Sequence, residues 1–147
     1  MTWTVLSLPQ PFAFAAIAYA MDVVPLYYRT RIRGPVLIHA PRLSVPRDAH
    51  APAEFIGQWQ AIVTGWMDRW QCDPPCTSSY KRMADLSGGI LGAAIIEDCV
   101  SEHTSTWWKR DDWKWGLVLG GSRPLPFTPC PGIAGLWELP AHIEVPL

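Results

Sequence analysis

Apolar residues recur along the chain at spacings that divide it into short strands and two helices. Trp3 to Leu8 is β-branched and apolar and stops at Pro9, which predicts a first strand. Pro11 suits a first helical turn, with Ser7 or Gln10 near the cap. The alanine-rich run from Phe12 to Met21 is apolar nearly all round, so the helix it predicts must be buried on most sides. Val23 to Tyr28 contains Pro25 and reads as an edge or bulged strand. Val36 to Ala40 reads as a buried strand that delivers His39 near its end. After a proline-bearing connection over 41–52, Phe55, Ile56, Trp59, Ile62, Val63, Trp66, Met67 and Trp70 recur at helical spacing, which puts all three tryptophans on a core stripe. Gln71 to Ser87 shows little periodicity and is expected to be loop. Ile90 to Val100 is small and apolar, as in a central strand packed on both faces. Trp113 to Leu119 predicts another strand ended by a Gly120-Gly121 turn, Arg123 to Gly132 carries four prolines and predicts an irregular crossing, and Leu136 to Leu139 a last short strand. The order has no βαβ rhythm, so the fold class is α+β.

One polar segment interrupts this pattern. If Arg29 to Arg33 is extended, Arg29, Arg31 and Arg33 share one side and Thr30 and Ile32 the other. Such a row of guanidinium groups suits phosphate or carboxylate. It equally suits a solvated edge that discourages aggregation. His39, alone after an apolar run, reads either as a hydrogen-bonded structural residue or as a base. The Gln10-Pro11 corner, at a helix start, could help hold an anion through unpaired amides, a property generic to helix N-termini.

Composition narrows the class. The 147 residues suffice for one domain over 1–147 with a core that needs no staples. Charged residues make up 17%, below the usual share of about a quarter, while nine Trp and 15 Pro favour a compact, loop-rich, strand-containing fold over a helical bundle. A formal net charge of -1 gives no global attraction to nucleic acid, so any such binding must come from a local patch. The run from Pro11 to Met21 is too short to span a membrane and no basic stretch precedes it, so the expectation is a cytoplasmic protein with no membrane partner. In that setting Cys72, Cys76, Cys99 and Cys130 are expected to be free thiols.

Motifs for chemistry are sparse. Gly-x-Ser-x-Gly, Walker and His-Glu-x-x-His patterns are absent from the sequence. Cys72-x-x-x-Cys76 with Cys99-x-x-x-His103 offers four zinc-type ligands, but the first spacing is wider than usual and Cys99 ends a strand that would bury it, so neither metal nor cofactor is expected. Glu97-Asp98, Asp111-Asp112 and Glu138 could supply acid or base chemistry, yet no partner base is fixed by spacing, and structural or solvated roles are expected.

Four stretches in order carry a resemblance. Leu6-Ser7-Leu8-Pro9-Gln10-Pro11-Phe12-Ala13 comes first, then Arg31 through Ala40, then Gly89-Ile90-Leu91-Gly92 with Asp98-Cys99-Val100, and finally Arg123-Pro124-Leu125-Pro126 through Pro129-Cys130 to Gly135-Leu136-Trp137. Together, over most of the chain, they resemble the ASCH domain of the PUA-like fold. The resemblance implies a small β-barrel with a mixed sheet, flanked by two main helices, and a cleft suited to RNA or a nucleotide-like small molecule. Some small ASCH proteins are amidohydrolases of acetylated cytidine. Their glycine-x-lysine pattern, followed by glutamate and arginine, falls here on Met21, Val24 and Leu26 by an ungapped count back from Arg33-Gly34, so the resemblance carries no catalytic residue across. A family aromatic position falls on Tyr28. The expected ligand-binding set is Gln10, Tyr28, Arg29, Thr30, Arg31, Arg33 and His39. The reading is a non-catalytic RNA- or nucleotide-binding domain, with a hydrolase of a modified nucleoside as the alternative should Lys81 or Lys114 reach the cleft.

Overall fold

The computed structural model describes residues 2–76, 78–108 and 113–147. In chain order the elements are β1 (Thr4–Ser7), α1 (Phe12–Ala18), β2 (Val23–Leu26), β3 (Gly34–Ala40), α2 (Ala53–Trp70), α3 (Tyr80–Asp85), β4 (Gly89–Val100), β5 (Trp115–Pro129) and β6 (Gly135–Glu138). The six strands form one sheet in the order β2-β5-β4-β3-β1-β6. Among the described residues only β1 and β3 run parallel, and the remaining neighbours are antiparallel. The fold is therefore α+β with a mixed sheet, curled into a half-barrel.

The twofold period of the strands sorts apolar side chains onto two faces. Leu6, Ile38 and Ala94 join the larger core beneath α1 and α2, while their neighbours Val5, Leu37 and Ala93 join a smaller core with Ile90, Cys130 and Leu139. Helix α1 is short but nearly enclosed, since Phe12 through Ala16 are all buried. Tyr19, just past its end, is 1% exposed and donates its hydroxyl to the Cys76 carbonyl at 2.8 Å. Burial, and secondarily the Cys76 thiol, push that hydroxyl up to about 12. Among the described residues no helix is long and apolar enough to cross a membrane.

Several sequence expectations change in detail. The Gly120-Gly121 pair does not end a strand but forms a bulge inside β5. Between the pairs Ala93↔Arg123 and Ile95↔Gly120, β5 spends one residue more than β4, and Gly121 takes the left-handed φ of +57°. The prolines of 123–129 then lie within the strand. They are tolerated because β2 pairs with β5 only over Trp115 to Val118, leaving the later half of β5 with an open edge. The stretch expected to be loop contains α3. Ser79 caps it by accepting from the Arg82 amide at 3.2 Å, and Tyr80 and Met83 face the core. Six residues are too few for a helical period to show. Of the three α2 tryptophans, Trp59 and Trp66 pack against Tyr19, whereas Trp70 is 53% exposed, beyond the core stripe expected for it. Pro25 does sit in an edge strand, β2.

Residues 27–33 belong to no strand, so the expected extended arginine row does not form a ladder. They connect β2 to β3 across the ends of the two strands lying between them. Arg29 places its guanidinium 5.8 Å from the centre of the Trp115 ring on β5, and Arg33 meets Asp98 on β4 at 3.3 Å. From the same segment the Tyr28 hydroxyl accepts from the Leu136 amide of β6 at 3.0 Å. Strands β2 and β6 are the two edges of the sheet, so Tyr28 reaches from the end of one edge to the other across the curl.

Candidate functional site

The residues singled out in the sequence fall into two groups, one interior and one exposed. Gln10 is 5% exposed and fully engaged: its Oε1 accepts from the Phe14 amide at 2.9 Å, and its Nε2 lies 3.5 and 3.4 Å from the Met83 and Leu86 carbonyls. The Phe12 and Ala13 amides are satisfied by the Pro9 carbonyl. The corner therefore clamps α1 to the end of α3, and these amides are not turned out towards an anion.

His39 is also interior, at 2% exposure. Register explains its partner, because Ser7 of β1 lies directly opposite His39 of β3 and both point to the smaller core. The Cys130 carbonyl, 2.9 Å from Nε2, can only accept, so Nε2 carries the ring proton. Nδ1 then accepts from the Ser7 hydroxyl at 3.2 Å, and that hydroxyl accepts in turn from Trp137 Nε1 at 2.9 Å. The direction of each bond is thus fixed from Trp137 to Cys130. A hollow of about 490 Å³ lies over His39, Arg42 and Cys130, but both ring nitrogens are used within the fold. Burial raises the Cys130 thiol above its ordinary range.

Within the connecting segment, Thr30 is buried and its hydroxyl accepts from the Ile32 amide at 3.2 Å. Arg33 turns back on its own loop, donating to the Thr30 and Ile32 carbonyls at 3.1 and 2.9 Å as well as to Asp98. Arg29 and Arg31 remain exposed, and Tyr27 beside them is 92% exposed.

This segment runs directly from the wall of the candidate site, a cavity of about 460 Å³ between α1, β2 and α2. Its apolar walls include Phe12, Met21, Leu26, Ile62, Trp107 and Trp113, and its polar lining is Glu54, Gln58 and Lys114. Met21 and Leu26, two of the three apolar departures from the family pattern, are 1% and 5% exposed and help build this wall, whereas Val24 packs wholly into the core.

The far wall is Trp107, held from several directions. Its Nε1 donates to the Ile62 carbonyl at 2.9 Å, and its ring fills the notch above Gly65, where a Cβ would come within 2.4 Å of Cδ1. Thr106 Oγ1 donates to the Gly65 carbonyl at 2.8 Å. Asp22, at the start of β2, pairs with Arg69 on α2 and accepts from the Ser105 hydroxyl at 2.7 Å. The Trp107 amide donates to that hydroxyl at 3.2 Å, and the Arg69 guanidinium lies 5.8 Å from the indole. Trp113 stands edge-on to Phe12, with ring centres 6.2 Å apart. An aromatic, mostly apolar cavity with a few polar groups on its lip suits a flat organic ring.

Sequence reasoning missed the α2 side of this cavity. The signal was present: Glu54, Gly57, Gln58 and Ala61 recur at helical spacing on one face and are small or polar, so that face cannot be core. Of the two lysines considered, Lys114 lines the cavity, while Lys81 lies 3.7 Å from Asp48. Arg47 forks onto Asp85 at 2.7 and 2.8 Å, which holds the Asp85 carboxyl below its usual range. Cys72 is exposed and Cys76 and Cys99 half-buried, and no three metal-type side chains converge among the described residues. Asp111 and Asp112 lie outside the described residues. No protein-family model matches the chain, and no curated protein matches it either.

Proposed function

We propose that the chain is an ASCH domain of the PUA-like kind that binds a nucleotide, free or as a residue of single-stranded RNA, without transforming it. The base enters the cavity between α1, β2 and α2, and the phosphate lies on Arg29, Arg31 and Lys114. One observation supports the reading: the aromatic cavity carries Lys114 in its lining, and its wall residues Leu26 and Tyr27 lead within a few residues of chain to exposed Arg29 and Arg31. Rings that stack on bases and guanidinium groups that fork onto phosphate are the two parts such a site requires. Gln10, Thr30 and His39 are buried and hydrogen-bonded within the fold outside the lining of this cavity, and Arg33 is tied to its own loop. The buried thioether of Met21 can act neither as nucleophile nor as base, which supports binding over turnover.

Filter binding of short single-stranded RNA across a salt series tests this. Arg29→Ala and Arg31→Ala should each weaken binding several-fold and flatten the salt dependence by about one counterion per phosphate contact. Arg33→Ala should do less, because that side chain is already tied to its own loop and to Asp98. Absence of affinity for RNA and for nucleotides at low salt would refute the proposal. The presence of Lys114 in the cavity lining favours the alternative of a hydrolase of a modified nucleoside. Release of acetate from acetylated cytidine, abolished by Lys114→Ala, would establish that alternative instead.

A further inference from the structure

The polar groups of the cavity are not distributed evenly. Glu54 and Gln58 lie one turn apart on α2, and both line it. Gln58 Nε2 is directed at Glu54 Oε1, 3.5 Å away, which leaves the amide oxygen of Gln58 turned from the carboxylate as an acceptor. The α2 lip therefore presents the Glu54 carboxylate, which only accepts, beside the Gln58 amide, whose oxygen accepts and whose second N–H still donates. The cation of the lining, Lys114, comes from a different element. Lys114 precedes Trp115 at the start of β5, and Arg29 lies over the Trp115 ring.

We infer that this site selects nucleotides whose base carries an exocyclic amino group at the edge far from the sugar, as cytosine and adenine do, and discriminates against their oxo counterparts. The inference rests on the nucleotide reading of the same cavity. A ligand with an anionic tail is oriented by charge, since the tail is drawn to Lys114 and repelled by Glu54. The distal edge of its base then faces α2. An amino group there donates to the Glu54 carboxylate, whereas a carbonyl oxygen in its place sets acceptor against that carboxylate and loses this hydrogen bond; the Gln58 amide can serve either base, so the discrimination rests on Glu54. The aromatic walls contribute equally to either base, so they add affinity without adding discrimination.

Isosteric pairs isolate the effect. Calorimetric titration of the full chain with cytidine against uridine 5′-monophosphate, and adenosine against inosine 5′-monophosphate, should show the amino member bound roughly tenfold tighter or better in each pair. Glu54→Ala should reduce that ratio to about threefold or less. Glu54 is exposed in the first turn of α2, and circular dichroism of the variant should confirm the native helix content. Equal affinity within both pairs, preference for the oxo members, or a Glu54→Ala protein that keeps the wild-type ratio would overturn the inference while leaving the nucleotide reading intact. Failure of all four nucleotides and of short single-stranded RNA to bind would overturn both.

Discussion

At the scale of single residues, the same side-chain type takes opposite roles according to what surrounds it. Arg29, Arg31 and Arg33 are equivalent in the sequence pattern, yet Arg33 spends its donors on two carbonyls and Asp98 while Arg31 stays exposed. Alternation alone could not reveal that, because the segment is a crossing loop and not a strand. His39 was legible as a strand-end histidine, and of its two readings the structural geometry matches the hydrogen-bonded one. Ser7→Ala gives the sharpest check. It would leave Trp137 Nε1 and His39 Nδ1 without partners in a buried setting and should cost about 1–3 kcal/mol in chemical denaturation. Nucleotide affinity should stay within about twofold, since the serine faces the smaller core and not the cavity. A tenfold loss of affinity in a folded Ser7→Ala protein would return His39 to the ligand site.

Among the elements, what the sequence made legible was long or strongly patterned. Although the later part of β4, with Ile95 44% exposed, is not packed on both faces as expected, the buried strand β3, the buried first half of β4, the edge strand with Pro25 and the amphipathic α2 all emerge from apolar spacing. Two features did not: α3, too short to display a period, and the bulge in β5, where two glycines and three prolines imitate a turn and a loop. Whether such residues end a strand depends on whether a neighbour claims the far edge, and that is a property of the sheet. Helix α2 combines both situations, one face packing on Phe14 and Tyr19 through Trp59, another opening the cavity at Gly57 and Ala61. A Cβ at Gly57 would meet nothing within 4 Å. Gly57→Leu should therefore project a side chain into free space and raise helix stability by roughly 0.5–1 kcal/mol, while obstructing the slot and weakening nucleotide binding at least about tenfold. Thermal melts and calorimetry on one preparation read both. A stabilised variant with unchanged affinity would place the ligand elsewhere.

Over the whole molecule, the two cores on opposite faces of the curled sheet separate scaffold from site. The smaller core gathers the Ser7 and His39 network with Trp137, and the larger one opens at its margin into the aromatic cavity. Tyr28 joins the sheet's two edges, and the segment bearing Arg29 and Arg31 runs on from it across the ends of β5 and β4, where Arg29 meets Trp115 and Arg33 meets Asp98. That convergence was beyond reach of a sequence reading, which can place residues on elements but not bring the end of β2 beside β5 and β6 at once. The tryptophans offer a direct measurement because they are spread over both faces. In a nitrogen-15 NMR titration with cytidine 5′-monophosphate, the indole resonances of Trp107 and Trp113 should shift in a saturable, dose-dependent way while those of Trp3 and Trp137, on the opposite core, stay in place. No shift at millimolar nucleotide, or movement confined to Trp3 and Trp137, would contradict the placement of a nucleotide site between α1, β2 and α2.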